Sequence, residues 1–492
     1  MMFVRSSATE ATHDGWTPRL TMSLVSMGLV LEVISISSYM TATALKPIGE
    51  YFKTDQIAWV MTAWLLMAAI ACPIVGKLAD VYGKRRMFLI SLAIATVGAL
   101  ISATATSFGL FIVGRALFGC LITCMFLAYS LMRDIFPPKI LALAVSITAA
   151  GMGLMSIPSP FLTGILLATW SFRSIFWFFA ISLVILAPVV VLTTRESPVR
   201  TASRVDLIGA ALLGGGLAAV LVGVSFGPTW GWANSSTLLF LVGGVGLLAA
   251  WLTSSFRIPE PLIDLRFFRR GPMLKITTAA GFSYGTITLY TTMLPLMCMA
   301  PATLALGYGF GIDAKQFAIL QAPIGIGSVI GGLSAGRAIR HIKPTVTLIV
   351  GLGLMTTSSV LTAALHADRT ALLVWVLLFG IGMGAATASI PNLVIASVPA
   401  AVQATMSSMV QTAQTLIASI FPVVAFAMLS AHVATVVDGY TYYTDGGMAR
   451  AYVLCAASSV AAIVVASLLL HRRRHAPRIP PEDSELARSA RF

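Results

Sequence analysis

The chain of 492 residues is 58% hydrophobic and only 10% charged, with a mean hydropathy of +0.91. A soluble globular domain carries about 25% charged residues, so this balance excludes one, and the apolar runs lack the two-residue alternation of barrel strands. The formal charge of +14 would suit nucleic acid only if the basic residues shared one folded face, and their distribution argues otherwise.

Apolar runs long enough to cross a ~30 Å hydrocarbon core recur from end to end. About fourteen are expected, centred near Leu31, Met67, Ile94, Thr123, Met155, Ser182, Gly215, Gly246, Thr286, Ser328, Met355, Gly382, Leu416 and Ser458. The expected fold class is therefore an all-α polytopic membrane protein. Residues 1–18 read as a polar lead. The run after it is too long for the apolar part of a cleaved signal, so it is expected to stay as the first span. With both termini cytoplasmic, Lys46, Lys53, Arg173, Lys315, Arg369 and Arg450 fall outside and Arg115 within a span, leaving the rest of the 32 basic residues inside. That asymmetry is the positive-inside rule. The tail HRRRHAPR from His471, leading into residues 472–492, then reads as a topology anchor against anionic lipid headgroups. No nucleic-acid partner is expected.

Of the 18 acidic residues, only Glu32 falls near the middle of a span. A central acid costs about 2.5–3.5 kcal/mol to insert, and such residues default to function. Burial favours the neutral carboxyl, so Glu32 is expected to gain and lose a proton as its surroundings open alternately to each side. The plainer alternative is an interhelical hydrogen bond. Ser35 and Tyr39 follow on the same helical face. Between spans 2 and 3 runs GKLADVYGKRR, with Gly76, Asp80, Gly83, Lys84 and Arg85 in a short polar gap; a generic basic hairpin obeying charge topology is its bland reading. Arg115 is the basic residue well inside a span, with snorkelling to the outer interface as the alternative to function. Span 5 carries GMGLMSIPSPFLTG, from Gly151 through Pro160 to Gly164. Cys72, Cys120, Cys124, Cys298 and Cys455 lack metal spacing and read as packing residues, so no metal site is expected.

The second half repeats the first. The stretch from Phe118, FGCLITCMFLAYSLMRDIFPPKI, parallels FGIGMGAATASIPNLVIASVPAA from Phe379, with Gly119 aligned to Gly380 and Pro138 to Pro399. GRAIRHI from Gly336 is a worn copy of the Gly76 loop without its aspartate. Two six-span bundles, 19–194 and 271–471, then flank an inserted pair within 195–270. Pairs such as Gly327/Gly331 and Gly380/Gly384 are small-x-x-x-small patterns for close helix approach. None follows a soluble strand, so a nucleotide fingerprint is not expected.

The Gly76 loop resembles the signature loop of the major facilitator superfamily, and the fourteen-span layout resembles that family's drug:proton antiporter branch. The resemblance covers nearly the whole chain. It implies a latch in which Asp80 pairs with neighbouring helix ends and arginines to hold the halves shut on the cytoplasmic side. Arg115 with Gly119 resembles the fourth-span motif, whose arginine is implicated in proton coupling; Phe118 replaces the usual glutamine. Spans 1 and 4 both line the cavity in that fold, so Arg115 is expected to reach toward Glu32. The branch usually holds L-D-x-T where this chain has Leu31-Glu32-Val33-Ile34, keeping the acid on a longer arm. Pro160 and Gly164 match the fifth-span antiporter motif, while Ser159 replaces a glycine and Pro158 is extra.

By helix position, Trp64, Phe126, Tyr129, Tyr284, Tyr290, Asn392, Gln411 and Gln414 are candidates for the substrate cavity. Aromatics with few charges suit an amphipathic small molecule, a cation near Glu32 among them. The expected function is proton-driven export of drug-like or lipophilic compounds across the cell (inner) membrane. No cofactor is expected beyond the proton gradient, membrane lipid surrounds the chain, and a periplasmic adaptor joins it if the cell is Gram-negative. A transporter dedicated to one metabolite shares the same residues. A membrane-embedded enzyme or receptor is the remote alternative, lacking the residue clusters that catalysis needs.

Overall fold

A computed structural model describes residues 15–54, 56–155, 158–201, 206–258, 260–263, 271–437 and 440–471. Most of the N-terminal lead, much of the linker before residue 271 and the basic tail lie outside them. The described residues are helical almost throughout: α1 Pro18–Thr43, α2 Leu45–Phe52, α3 Ala58–Tyr82, α4 Lys84–Thr104, α5 Phe108–Phe118, α6 Thr123–Ile135, α7 Pro138–Leu154, α8 Ser159–Thr169, α9 Arg173–Thr193, α10 Leu207–Trp230, α11 Ser235–Arg257, α12 Pro272–Cys298, α13 Ala314–Ala338, α14 Pro344–Ala364, α15 Arg369–Ser397, α16 Gln403–Ser430 and α17 Asp445–His471. A hairpin, β1 Val433–Val437 with β2 Tyr440–Tyr443, sits between α16 and α17 and has no counterpart in the sequence reading.

Helix starts follow side-chain capping. Thr17, Ser107, Asp206, Asn234, Asp313 and Asp368 each accept a hydrogen bond from a backbone N–H in the first turn of α1, α5, α10, α11, α13 and α15. Among the described residues, twelve helices are long and apolar enough to cross a membrane, fewer than the fourteen expected. Two of the expected spans do not count among them. The fifth is two shorter helices, α7 and α8, with the expected centre Met155 in the break; Pro158 and Pro160 remove backbone donors there. The ninth is α12, whose length suffices but whose hydroxyl-rich run from Thr286 to Thr292 dilutes its hydropathy.

The helices form two cores, one from α1, α3–α7 and α9, the other dominated by α10, α12 and α14–α17. Glycines set the closest approaches. A Cβ on Gly331 would stand 1.9 Å from the Ile381 carbonyl, and one on Gly384 2.0 Å from that of Ser328, so α13 and α15 meet backbone to backbone. The same device seams the two bundles. Gly332 and Gly336 of α13 admit Ala150 and Ser146 of α7, and Gly76 of α3 admits Ser408 of α16. α10 packs against both α3 and α16, where Phe226 lies 4.4 Å from Trp59 between ring centroids, and α11 packs on α10.

Candidate functional site

The Gly76–Arg86 segment ends α3, turns at Gly83 and opens α4. Gly83 adopts φ +115°, a conformation that disfavours any other residue, and the Glu196 carboxylate lies against its Cα. That carboxylate accepts from the backbone N–H groups of Arg85 and Arg86 at 2.9 Å each, satisfying the free start of α4. Asp80, 3% exposed, reaches into the other bundle. Its carboxylate accepts from Ala404 N at 3.1 Å, Thr405 N at 2.8 Å and Thr405 Oγ1 at 2.7 Å. A negative charge thus sits on the first turn of α16, where the helix dipole and unpaired N–H groups favour it.

Further ties surround this contact. Lys84, fully buried, pairs with Asp134 at 2.5 Å and donates to the Ala400 carbonyl at 3.2 Å. Arg133 donates to Gln403 Oε1, and Thr201 Oγ1 to the Ala401 carbonyl at 2.6 Å. Arg85 turns its guanidinium to the Val191 carbonyl within its own bundle. Asp134, Arg133, Glu196, Thr201 and Thr405 were not singled out from sequence. The acid–base pair Arg133-Asp134 at the end of a span was the available signal.

At the opposite end of the helices lies a cavity of about 1670 Å³. It runs from mid-helix outward between α1, α3 and α8 on one side and α12, α13 and α16 on the other. Ser35, Tyr39, Trp64, Tyr284, Gln411 and Gln414 line it, as does Gly164. Phe126 and Tyr129 line a small pocket of about 30 Å³ that shares Tyr284, Gln411 and Gln414 with the cavity and extends toward the Asp80 contact. Two candidates belong elsewhere. Tyr290 is fully buried, stacked on Phe379 at 3.7 Å and bonded to Thr362 at 3.0 Å, inside the second core. Asn392 donates to Ala388 O at 2.8 Å and to Ser146 Oγ at 3.3 Å across the bundle seam. Sequence reasoning missed the threonines of α12 and the methionines Met61, Met125 and Met152 on the cavity wall.

Glu32 lies on α1, 8% exposed, one turn from the lining residue Ser35 but not itself among the lining residues. Its Oε1 sits 2.6 Å from where a Cβ on Gly151 would stand, and its Oε2 has no hydrogen-bond partner. Arg115 is fully buried and does not snorkel. Its Nε donates to the Val60 carbonyl at 3.2 Å, and its guanidinium lies 5.9, 5.5 and 5.7 Å from the Trp64, Phe118 and Phe176 rings. Both terminal nitrogens lack a hydrogen-bond partner. The structure does not join Arg115 and Glu32: among the described residues they form no ion pair. Phe118 is one wall of the arginine's aromatic cage. Pro160 lies in the first turn of α8, beyond the break.

The profile of the family described as Major Facilitator Superfamily matches residues 26–422. The chain is 24% identical over 429 residues to the tetracenomycin C resistance and export protein of Streptomyces glaucescens, covering 85% of this chain and 77% of that one. It is 28% identical over 427 residues to the multidrug resistance protein Stp of Mycobacterium tuberculosis, covering 84% and 76%. Among solved structures, the human organic anion transporter TETRAN superposes with a TM-score of 0.60 at 13% identity, covering 92% of this chain and all of that one. The proton:xylose symporter XylE gives 0.62 at 12% identity, covering 91% and 94%.

Proposed function

The chain belongs to the Major Facilitator Superfamily, and from that premise we propose that it exports drug-like or lipophilic compounds across the cell membrane in exchange for protons. The observation that carries this reading is the pairing of a wide cavity between two bundles with a latch that closes the opposite end. Alternating access follows: opening the Asp80 contact would free α16 from α3 and expose the neck at Gln411 and Gln414 to the latch side. The sequence relatives in resistance and export support export of organic compounds.

The finer reading places the chain in the fourteen-span drug:proton antiporter branch. The broken α7–α8 and the polar α12 count as spans there, α10 and α11 form the inserted pair, and bundles at 19–194 and 271–471 flank residues 195–270. Basic residues favour cytoplasmic termini, a cytoplasmic latch and an outward-facing cavity. Glu32 carries the proton, Arg115 tunes the coupling from its aromatic cage, and a Gram-negative cell would add a periplasmic adaptor. The test is efflux of a panel of dyes and drugs from a pump-deficient host, with and without an uncoupler. Efflux that the uncoupler abolishes is expected; a panel in which no compound is exported would overturn the reading.

A further inference from the structure

The cavity wall holds no charge: among the described residues lining it there is no Asp, Glu, Lys, Arg or His. Neither of two ionisable groups buried within these helices, Glu32 and Arg115, is among the residues that line it. Glu32 sets its carboxylate against Gly151, and Arg115 stands behind Trp64, a residue that does face the cavity. An organic cation entering here would lose water without meeting a carboxylate, and an unpaired charge is expensive to desolvate. Cation–π contact offers little relief, because the indole of Trp64 already faces the Arg115 guanidinium. The field of that buried arginine opposes a second positive charge.

The hydrogen-bonding groups on the wall are unequal. Thr291, Thr292, Thr387 and Thr415 each donate their hydroxyl proton to a carbonyl of their own helix, at 2.9, 2.7, 2.9 and 3.0 Å. They present lone pairs only. Gln411 and Gln414 differ. They lie three residues apart on α16, are 8% and 4% exposed, and their amides make no hydrogen bond among the described residues. Each offers both a donor and an acceptor, and both line the neck between the cavity and the small pocket. Above them Met61, Met125, Met152, Phe161 and Ile165 give an apolar wall, and thioethers adapt to many shapes. A volume of about 1670 Å³ exceeds the roughly 300–1,000 Å³ of a pocket fitted to one drug-sized ligand, so polarity selects here more than shape.

We propose that the substrates are uncharged amphiphiles, each held with its hydrogen-bonding end group between Gln411 and Gln414 and its apolar body along the methionine wall, and that permanently charged compounds are rejected. This deepens the export reading and rests on it for the direction of transport. The binding preference stands by itself.

The test uses the full chain in nanodiscs and one pyrene scaffold bearing a hydroxyl, a trimethylammonium or a carboxylate head, with empty nanodiscs subtracted. The alcohol should bind at least tenfold tighter than either charged analogue. Gln411→Leu and Gln414→Leu should each weaken the alcohol about fivefold, the loss of one net hydrogen bond of about 1 kcal/mol. Gln411→Glu should confer binding of the trimethylammonium compound, a gain that a misfolded variant cannot produce. Equal or tighter binding of either charged probe by the unmodified chain overturns the proposal. Reconstituted transport separates the two readings. Alcohol binding without export sinks the export reading alone, whereas export of both alcohol and cation with equal affinity sinks this one alone.

Discussion

Asp80 of α3 holds Thr405 of α16 by two hydrogen bonds, from the backbone N–H at 2.8 Å and the hydroxyl at 2.7 Å, across 325 residues of sequence. Together with Ala404 N this makes a charged cap on a helix of the other bundle. A hydrogen bond to a charged group contributes about 1.5–3 kcal/mol and a helix-end charge about 0.3–1 kcal/mol. A tie of this size would be strong enough to hold one end of the path closed and weak enough to open in each cycle, as the proposed function requires.

Asp80→Asn keeps the shape but removes the charge and turns one acceptor into a donor facing backbone N–H groups. Transport should fall at least tenfold while equilibrium binding of substrate stays within a few-fold of the unmodified chain, because Asp80 lies away from the cavity. Parallel binding and flux measurements check this. Binding lost in proportion to flux would show that Asp80 acts through the substrate site instead.

Gly151→Ala tests the seat of the acid. The added methyl would meet Glu32 Oε1 at 2.6 Å, so the carboxylate must move. Proton-driven transport should drop several-fold with little change in melting temperature. Gly353→Ala, where a Cβ meets nothing within 4 Å, is the matched control and should transport normally. Equal activity of the two variants would mean that Glu32 does not need its observed position.

Arg115→Met separates function from stability. The guanidinium is fully buried with two nitrogens lacking hydrogen-bond partners. Replacing a buried, poorly compensated charge by an apolar side chain of similar length is often neutral or stabilising by about 1–4 kcal/mol. The variant should therefore melt at or above the parent temperature while losing transport. Loss of several degrees of stability would identify the arginine as a structural tie through Val60 instead.

Much of this arrangement was legible in the sequence, and the gaps have physical causes. The Gly76–Arg86 loop showed itself because glycines and charges are rare in so short a gap between apolar helices. Asp80 was visible, but its partners were not: Ala404 and Thr405 lie more than 320 residues away and act mostly through backbone N–H groups, which leave no residue signature. Tyr290 and Asn392 were placed in the cavity by helix position alone, yet a helix buried on all sides has no preferred face to betray. The helix α12 was legible as a span centred near Thr286, but nothing in its local pattern showed that its threonines form a wall of the cavity. Arg115 stood out as an intramembrane charge, but its aromatic cage joins α3, α5 and α9, and no local pattern predicts that meeting.

The central claim is that a proton taken up at Glu32 drives export, and a proteoliposome with an imposed pH gradient tests it most directly. The measurement is accumulation of the pyrene alcohol, with proton flux followed in the same vesicles. The unmodified chain should accumulate the probe and move protons in the opposite direction, each pH unit contributing about 1.36 kcal/mol. Glu32→Gln, which preserves side-chain size and abolishes titration, should only equilibrate the probe down its own gradient. Accumulation by Glu32→Gln at the level of the unmodified chain would contradict the assignment of the coupling proton to this carboxylate.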